Sequence, residues 1–234
     1  MEHQLLTKGY YVGKVSEIVS NLSELDVYCN KLIELSADKS KYYAYRHNID
    51  DSYSELPHRI AVHEVDERKK HVEDTGLKVF QQWYESTRDP DGKMEPVRDY
   101  FRNITFDAAS KIYPELTRKN TTYNDSFTIF EDGDFIKSHT DGNNNIGRVC
   151  VILIYISDPL SYNDGGGKLF ITDKETHLDV EEVVPLKGTF VLIDFTKHDI
   201  EHRVELVKNN FKRHCYISFV YNSDLLKDKN ETKY

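Results

Sequence analysis

Two histidines and one aspartate in this 234-residue chain have the types and order of a metal-ligand set. His139 and Asp141 form an H-x-D in the run Phe130-Glu131-Asp132-Gly133-Asp134-Phe135-Ile136-Lys137-Ser138-His139-Thr140-Asp141, and His202 follows 63 residues after His139. Two imidazoles and one carboxylate on one side of an ion are the donors of an open non-haem Fe(II) centre. Three protein ligands leave room for a chelating co-substrate and for O2, whereas a closed four-ligand site only holds structure. H-x-D alone is a weak signal. At ordinary residue frequencies about one is expected by chance, and a second stands at His177-Leu178-Asp179. Spacing separates the two. His139 leaves room for several strands before His202, while His177 lies close to it, between Asp173-Lys174-Glu175-Thr176 and Glu181-Glu182, and reads as a solvated hairpin end.

His198 is the rival for the distal ligand. His202 is favoured because alternation puts Ile200, His202, Val204 and Leu206 on one inward strand face, where apolar neighbours keep an imidazole dry. His198 follows Thr196-Lys197 in what reads as the preceding turn. Arg213 comes eleven residues after His202, beyond the turn Lys208-Asn209-Asn210. A strand returning antiparallel would set its guanidinium beside His202 as a fork for a carboxylate, with Lys212 facing solvent.

The elements that must position these groups fall into two textures. Leu25, Tyr28, Cys29, Leu32 and Ile33 recur at helical spacing behind a Ser23 cap, and Val97, Tyr100, Phe101, Ile104 and Ala108 behind Pro96. A shorter pattern of the same kind runs through Leu77, Phe80, Trp83 and Tyr84. The 41–70 stretch, rich in tyrosine and carrying His47, His58 and His63, reads either as a cover over a pocket or as an edge strand with a surface loop. From Thr121 the texture changes to short apolar runs broken by Asp, Asn and Gly. Strands are expected at Phe127–Phe130, Arg148–Ile156, Lys168–Ile171, Val183–Pro185, Thr189–Asp194, Ile200–Val207 and Arg213–Tyr221. Helices followed by strands predict an α+β fold with helices packed on one sheet.

Composition narrows the function classes. A formal net charge of −9 argues against a general nucleic-acid surface, and the longest apolar run, Val149 to Ile156, is too short to span a bilayer. The three cysteines, Cys29, Cys150 and Cys215, are widely spaced in apolar segments, so buried thiols in a reducing, cytoplasmic setting are expected. One domain over 1–234 is the simplest organisation: 1–120 as helical support and candidate lid, 121–221 as catalytic core, and 222–234 as a charged tail.

His139-Thr140-Asp141, the strand from Arg148 to Tyr155-Ile156-Ser157-Asp158, the turn Gly165-Gly166-Gly167-Lys168-Leu169-Phe170, then His202-Arg203-Val204 and Arg213, together resemble the prolyl 4-hydroxylase-like branch of the Fe(II)/2-oxoglutarate-dependent dioxygenases. The resemblance covers roughly residues 121–221. It implies a double-stranded β-helix (jelly-roll) core, with His139, Asp141 and His202 as iron ligands. Arg213 would grip the distal carboxylate of 2-oxoglutarate and Tyr155 would add a hydrogen bond, with Val151 and Leu153 on the same face lining that pocket. The cofactors implied are Fe(II), 2-oxoglutarate and O2, with ascorbate as an accessory reductant. The implied reaction hydroxylates an unactivated C–H bond, of a prolyl residue in a protein or peptide, with release of succinate and CO2; a free amino acid or other small molecule is the alternative substrate. Phe130 departs from the pattern, since many members carry a tyrosine there. Two readings from other classes stand beside this one: a non-catalytic, cupin-like metal-binding module, disfavoured by the absence of H-x-H, and a partner-binding protein whose histidines are incidental.

Overall fold

The computed structural model describes residues 7–36, 42–46, 80–84, 92–141, 147–173, 175–196 and 200–227. Two long helices, a short one at Asp224–Lys227 and eleven strands organise them. Helix α1 spans Leu22–Ser36 and α2 spans Glu95–Ser110. The strands are β1 (Tyr10–Lys14), β2 (Tyr42–Arg46), β3 (Phe80–Tyr84), β4 (Thr121–Phe130), β5 (Ile136–His139), β6 (Arg148–Tyr155), β7 (Leu169–Thr172), β8 (Asp179–Val183), β9 (Thr189–Asp194), β10 (Glu201–Val204) and β11 (Arg213–Asn222). They form a seven-stranded sheet in the order β1-β9-β6-β11-β4-β3-β2 and a four-stranded sheet in the order β5-β10-β7-β8, antiparallel throughout.

From β4 onward almost every connection crosses between the sheets, the β7–β8 hairpin being the one that stays within a sheet. Two antiparallel sheets with a few helices outside are compatible with a jelly roll. One apolar cluster lies between the sheets and draws on both: Phe130, Val151, Leu153, Tyr155, Val191 and Cys215 from the large sheet, Leu169, Ile171, Val183 and Val204 from the small one. A second cluster lies on the other face of the large sheet, where Leu25, Cys29 and Leu32 of α1 and Val97, Phe101, Ile104 and Ala108 of α2 pack on Phe127, Ile152, Ile154, Leu192 and Tyr216. The large sheet is therefore covered on both faces, which explains why Val149 to Ile156 reads as an unbroken apolar run.

An acidic anchor joins α2 to this sheet. Asp125 of β4 accepts from Arg102 Nε at 2.6 Å and from the Tyr216 hydroxyl at 2.8 Å, and Arg98 Nε lies 3.6 Å from its other oxygen. Arg98 is buried, and the pairing offsets the cost of removing its charge from water.

Several expectations are corrected. Phe80–Tyr84 is a strand and not a helical pattern: its five residues are too few for periodicity to discriminate, and β4 offers a pairing edge, with Trp83 opposite Thr128. The first 120 residues are not helical support alone, because β1, β2 and β3 supply three strands of the large sheet. Within the 41–70 stretch, Tyr42–Arg46 is an edge strand; 47–70, with His47, His58 and His63, lies outside the described residues, as do 85–91, His198 and 228–234 of the tail. The cap of α1 is Asn21 rather than Ser23, since Asn21 Oδ1 accepts from the Glu24 amide at 3.2 Å and from Ser23 Oγ at 2.7 Å. Among the described residues no helix is long and apolar enough to cross a membrane.

Phe101 sits fully buried between α2 and the sheet, stacked on Tyr216 with 4.9 Å between ring centroids. Phe101→Ala is expected to cost about 3–5 kcal/mol of stability, read as a shift in the urea midpoint.

Candidate metal centre

The site begins with a short ladder. β5 and β10 pair antiparallel, with His202 opposite His139 and Val204 opposite Ile136. His139 and Ile136 are three residues apart on β5, while their partners are two apart on β10, so β5 carries a bulge. The extra residue resets the alternation of β5, so that both Ile136 and His139 share the inner face with His202 and Val204. On its other side, β10 pairs His202 with Ile171 and Val204 with Leu169, which places the imidazole among residues of the inter-sheet cluster.

The two imidazole rings stand 4.4 Å apart. Asp141, two residues beyond β5, reaches both: its Oδ1 lies 3.6 Å from His139 Nε2 and its Oδ2 lies 3.7 Å from His202 Nε2. The ligand atoms of all three lie within 4.8 Å of one another, and no other cluster of this kind occurs among the described residues.

Electrostatics suit a cation. Burial would raise the Asp141 carboxyl, but the charges of His202, His139 and Arg148 and a hydrogen bond from His139 outweigh it and hold it below its ordinary value. Burial lowers the His202 imidazole, with Asp141 opposing. A metal ion binds the ionised carboxylate and the neutral imidazole, so its binding would release any proton shared among the three. His202 Nδ1 lies 3.4 Å from the Ile200 carbonyl; a proton on Nδ1 would leave the Nε2 lone pair toward the cluster.

Arg213 lies on the opposite wall. It is buried at 1 % exposure, and its Nε donates to the Gly167 carbonyl at 2.9 Å and its Nη2 to the Tyr155 hydroxyl at 3.4 Å. The Phe130 and Tyr155 ring centroids are each 5.1 Å from the guanidinium carbon. No carboxylate among the described residues pairs with it. A buried guanidinium with neutral partners and spare N–H groups is a receptor for an anion.

The route that brings Arg213 here differs from the sequence expectation. β11 does not return beside β10; the chain crosses to the large sheet, where Arg213 pairs with Phe130 of β4. Both residues still face the same interior, because Arg213, Cys215 and Tyr155 share the inner face of the large sheet. Parity also separates the neighbours of Arg213: Lys212 is exposed near Glu131, and His214 points to the helix side, stacked on Phe127. Leu206 corrects another expectation. β10 ends at Val204, Leu206 is 49 % exposed, and Val207 turns inward to bridge Gly166.

His177 sits in the β7–β8 hairpin with φ of 56° and an exposed side chain, as its flanks predict. Two features of the site were not foreseen. Arg148, in the sequence only the first residue of a strand, donates through Nη1 to the Asp141 carbonyl at 3.0 Å. The glycine turn proves to be a brace: Gly167 accepts from Arg213, and a Cβ on Gly166 would stand 2.0 Å from the Leu206 carbonyl oxygen. Gly166 has a φ of 65°, which glycine adopts without strain.

Residues 126–221 match the family model of the 2OG-Fe(II) oxygenase superfamily. No curated protein matches the sequence. Among solved structures, a Pseudomonas putida prolyl-4-hydroxylase aligns with TM-score 0.59 at 12% identity, covering 94% of this chain and 96% of that one. A Trichoplax adhaerens prolyl hydroxylase in complex with a hypoxia inducible factor oxygen degradation domain peptide fragment aligns with TM-score 0.59 at 14% identity, covering 99% and 90%. The viral collagen prolyl hydroxylase of Paramecium Bursaria Chlorella virus-1, as a 2OG complex, aligns with TM-score 0.53 at 13% identity, covering 92% and 96%.

Two outcomes test this geometry. Gly166→Ala should lower the melting temperature by several degrees, since the new Cβ meets backbone at a left-handed φ. For His214, burial and then the Lys212 charge push the imidazole down to about 4. The folded form thus resists protonation, so stability is full above about pH 6.5 and falls as pH drops toward 4, by on the order of 3 kcal/mol. Denaturant titrations across that window should show a flatter acid limb in His214→Gln.

Proposed function

We propose that this chain, whose β core is related to the 2OG-Fe(II) oxygenases and resembles their prolyl 4-hydroxylase-like branch, is an Fe(II)- and 2-oxoglutarate-dependent hydroxylase built on a double-stranded β-helix. The observation that carries the reading is a pair of features on facing walls of one interior: an open His139-Asp141-His202 cluster and, across from it, the acid-free guanidinium of Arg213. A metal-binding module alone has no use for the second. The donor set fits Fe(II), and the matched superfamily works with Fe(II), 2-oxoglutarate and O2.

In this reading His139, Asp141 and His202 hold the ion on one face. Bound Fe(II) with 2-oxoglutarate and O2 supplies the oxidising chemistry, in which the keto acid is split to succinate and CO2 and one oxygen atom enters a substrate C–H bond. Arg213 and Tyr155 hold the distal carboxylate of 2-oxoglutarate, the first by charge and the second by its hydroxyl. Phe130 supports the guanidinium through its ring face and brings no hydroxyl of its own, which leaves Tyr155 as the neutral donor on that wall. Val151, Leu153, Leu169, Ile171 and Val204 keep water from the interior and strengthen each polar contact within it.

The substrate we assign is a prolyl residue in a protein or peptide. The prolyl hydroxylases among the structural neighbours, one of them holding a peptide, support this choice.

Anaerobic titration of Fe(II) and 2-oxoglutarate into the wild type should raise the weak visible charge-transfer band. His139→Ala and His202→Ala should abolish it, and Arg213→Ala should demand about 10–100-fold more 2-oxoglutarate, the worth of a charge-assisted hydrogen bond. Wild type without the band would sink the assignment. Succinate release stimulated by proline-containing peptides, and not by free amino acids, is the expected turnover result; the reverse would make this a small-molecule hydroxylase.

A further inference from the structure

Asp141 is the least supported of the three candidate ligands. His139 closes β5 and His202 lies within β10, so both are held by a ladder, whereas Asp141 follows β5 without strand pairing. Among the described residues, one hydrogen bond reaches its main chain: Arg148 Nη1 to the Asp141 carbonyl at 3.0 Å. Arg148 opens β6 and is itself tightly held. Its guanidinium carbon lies 4.3 Å from the Phe219 ring centroid, 5.4 Å from Phe195 and 5.6 Å from Tyr221, and its Nε and Nη2 donate to the Tyr221 hydroxyl at 3.4 and 3.2 Å. Phe219 and Phe195 stack on each other. A planar cation set against a group of rings and tied by its edge has little rotamer freedom left, which makes it a rigid strut.

We infer that Arg148 is a positioning residue: held in an aromatic cage on the large sheet, it fixes the main chain of Asp141 so that the carboxylate meets His139 and His202. This inference rests on the metal-centre reading above. It assigns Arg148 no contact with the ion or the co-substrate.

Mn(II), a redox-stable probe, can be titrated alone into the apo-protein and followed by the loss of the free-ion EPR signal. Arg148→Met should bind Mn(II) about 10–100-fold more weakly than wild type, the cost of losing an outer-shell partner of a metal ligand. Arg148→Lys should recover part of the loss, because it keeps the charge but not the fork. Tyr221→Phe, which frees one edge of the guanidinium, should lose several-fold and covers the case in which Arg148→Met fails to fold. Thermal melts of the apo-variants separate folding from binding. Folded Arg148→Met, or Tyr221→Phe should the former not fold, binding Mn(II) within twofold of wild type would overturn the inference alone. Wild type that binds no Mn(II) would overturn the metal-centre reading, and the inference with it.

Discussion

His139 and His202 meet across a β5–β10 ladder of four residues a side, and the bulge within that ladder decides which way His139 faces. A regular strand running in from Ile136 would turn His139 to the outer surface, since residues three apart on a strand point to opposite faces. One extra residue on β5 reverses this. The imidazole then lies 4.4 Å from its partner ring, and Asp141 can close the cluster. Without the bulge there would be two histidines on opposite sides of a sheet and no site. The four-stranded sheet, its apolar inner face and the crossings that deliver β5 and β10 to it all serve this one juxtaposition.

A buried arginine lies against each face of the large sheet, Arg98 of α2 on one side and Arg213 of β11 on the other, and the two are treated differently. On the helix side, Arg98 and Arg102 converge on Asp125, with Tyr216 completing the group. That network is satisfied internally and joins α2 to β4 and β11. On the inner side, Arg213 has a carbonyl and a phenol and no described acid. Keeping a charge buried with neutral partners costs stability that a bound carboxylate would return. The contrast across one sheet sets a structural ion network against a guanidinium with neutral partners, whose Nε is held by the Gly167 carbonyl at 2.9 Å.

Much of the β core could be read from the chain. β9 has the bounds expected, β6 and β11 end within a residue of theirs, and the apolar run of β6 reflects burial on both faces. The amphipathic helices were legible from their 3.6-residue spacing, because each buries one stripe on a sheet. Expectations failed where the deciding partner is distant in sequence. Phe80–Tyr84 is a strand because β4 presents an edge there, and Leu206 is exposed because β10 stops at Val204. The cap of α1 moved by two residues because Asn21 and Ser23 are both competent and local geometry chose between them.

The sequence by itself determined the donor types, their order and the class of chemistry they suit, because ligand identity and hydrogen-bonding capacity are properties of side chains. It also determined that His177 lies in a solvated turn, because its flanks are charged. Only the tertiary structure decided that His139 faces inward, that Arg213 reaches the interior from the opposite sheet and not from a hairpin beside His202, and that Arg148 donates to the Asp141 carbonyl. Each of these depends on register and on contacts between strands far apart in the chain, and a one-residue slip in register turns a side chain to the other face.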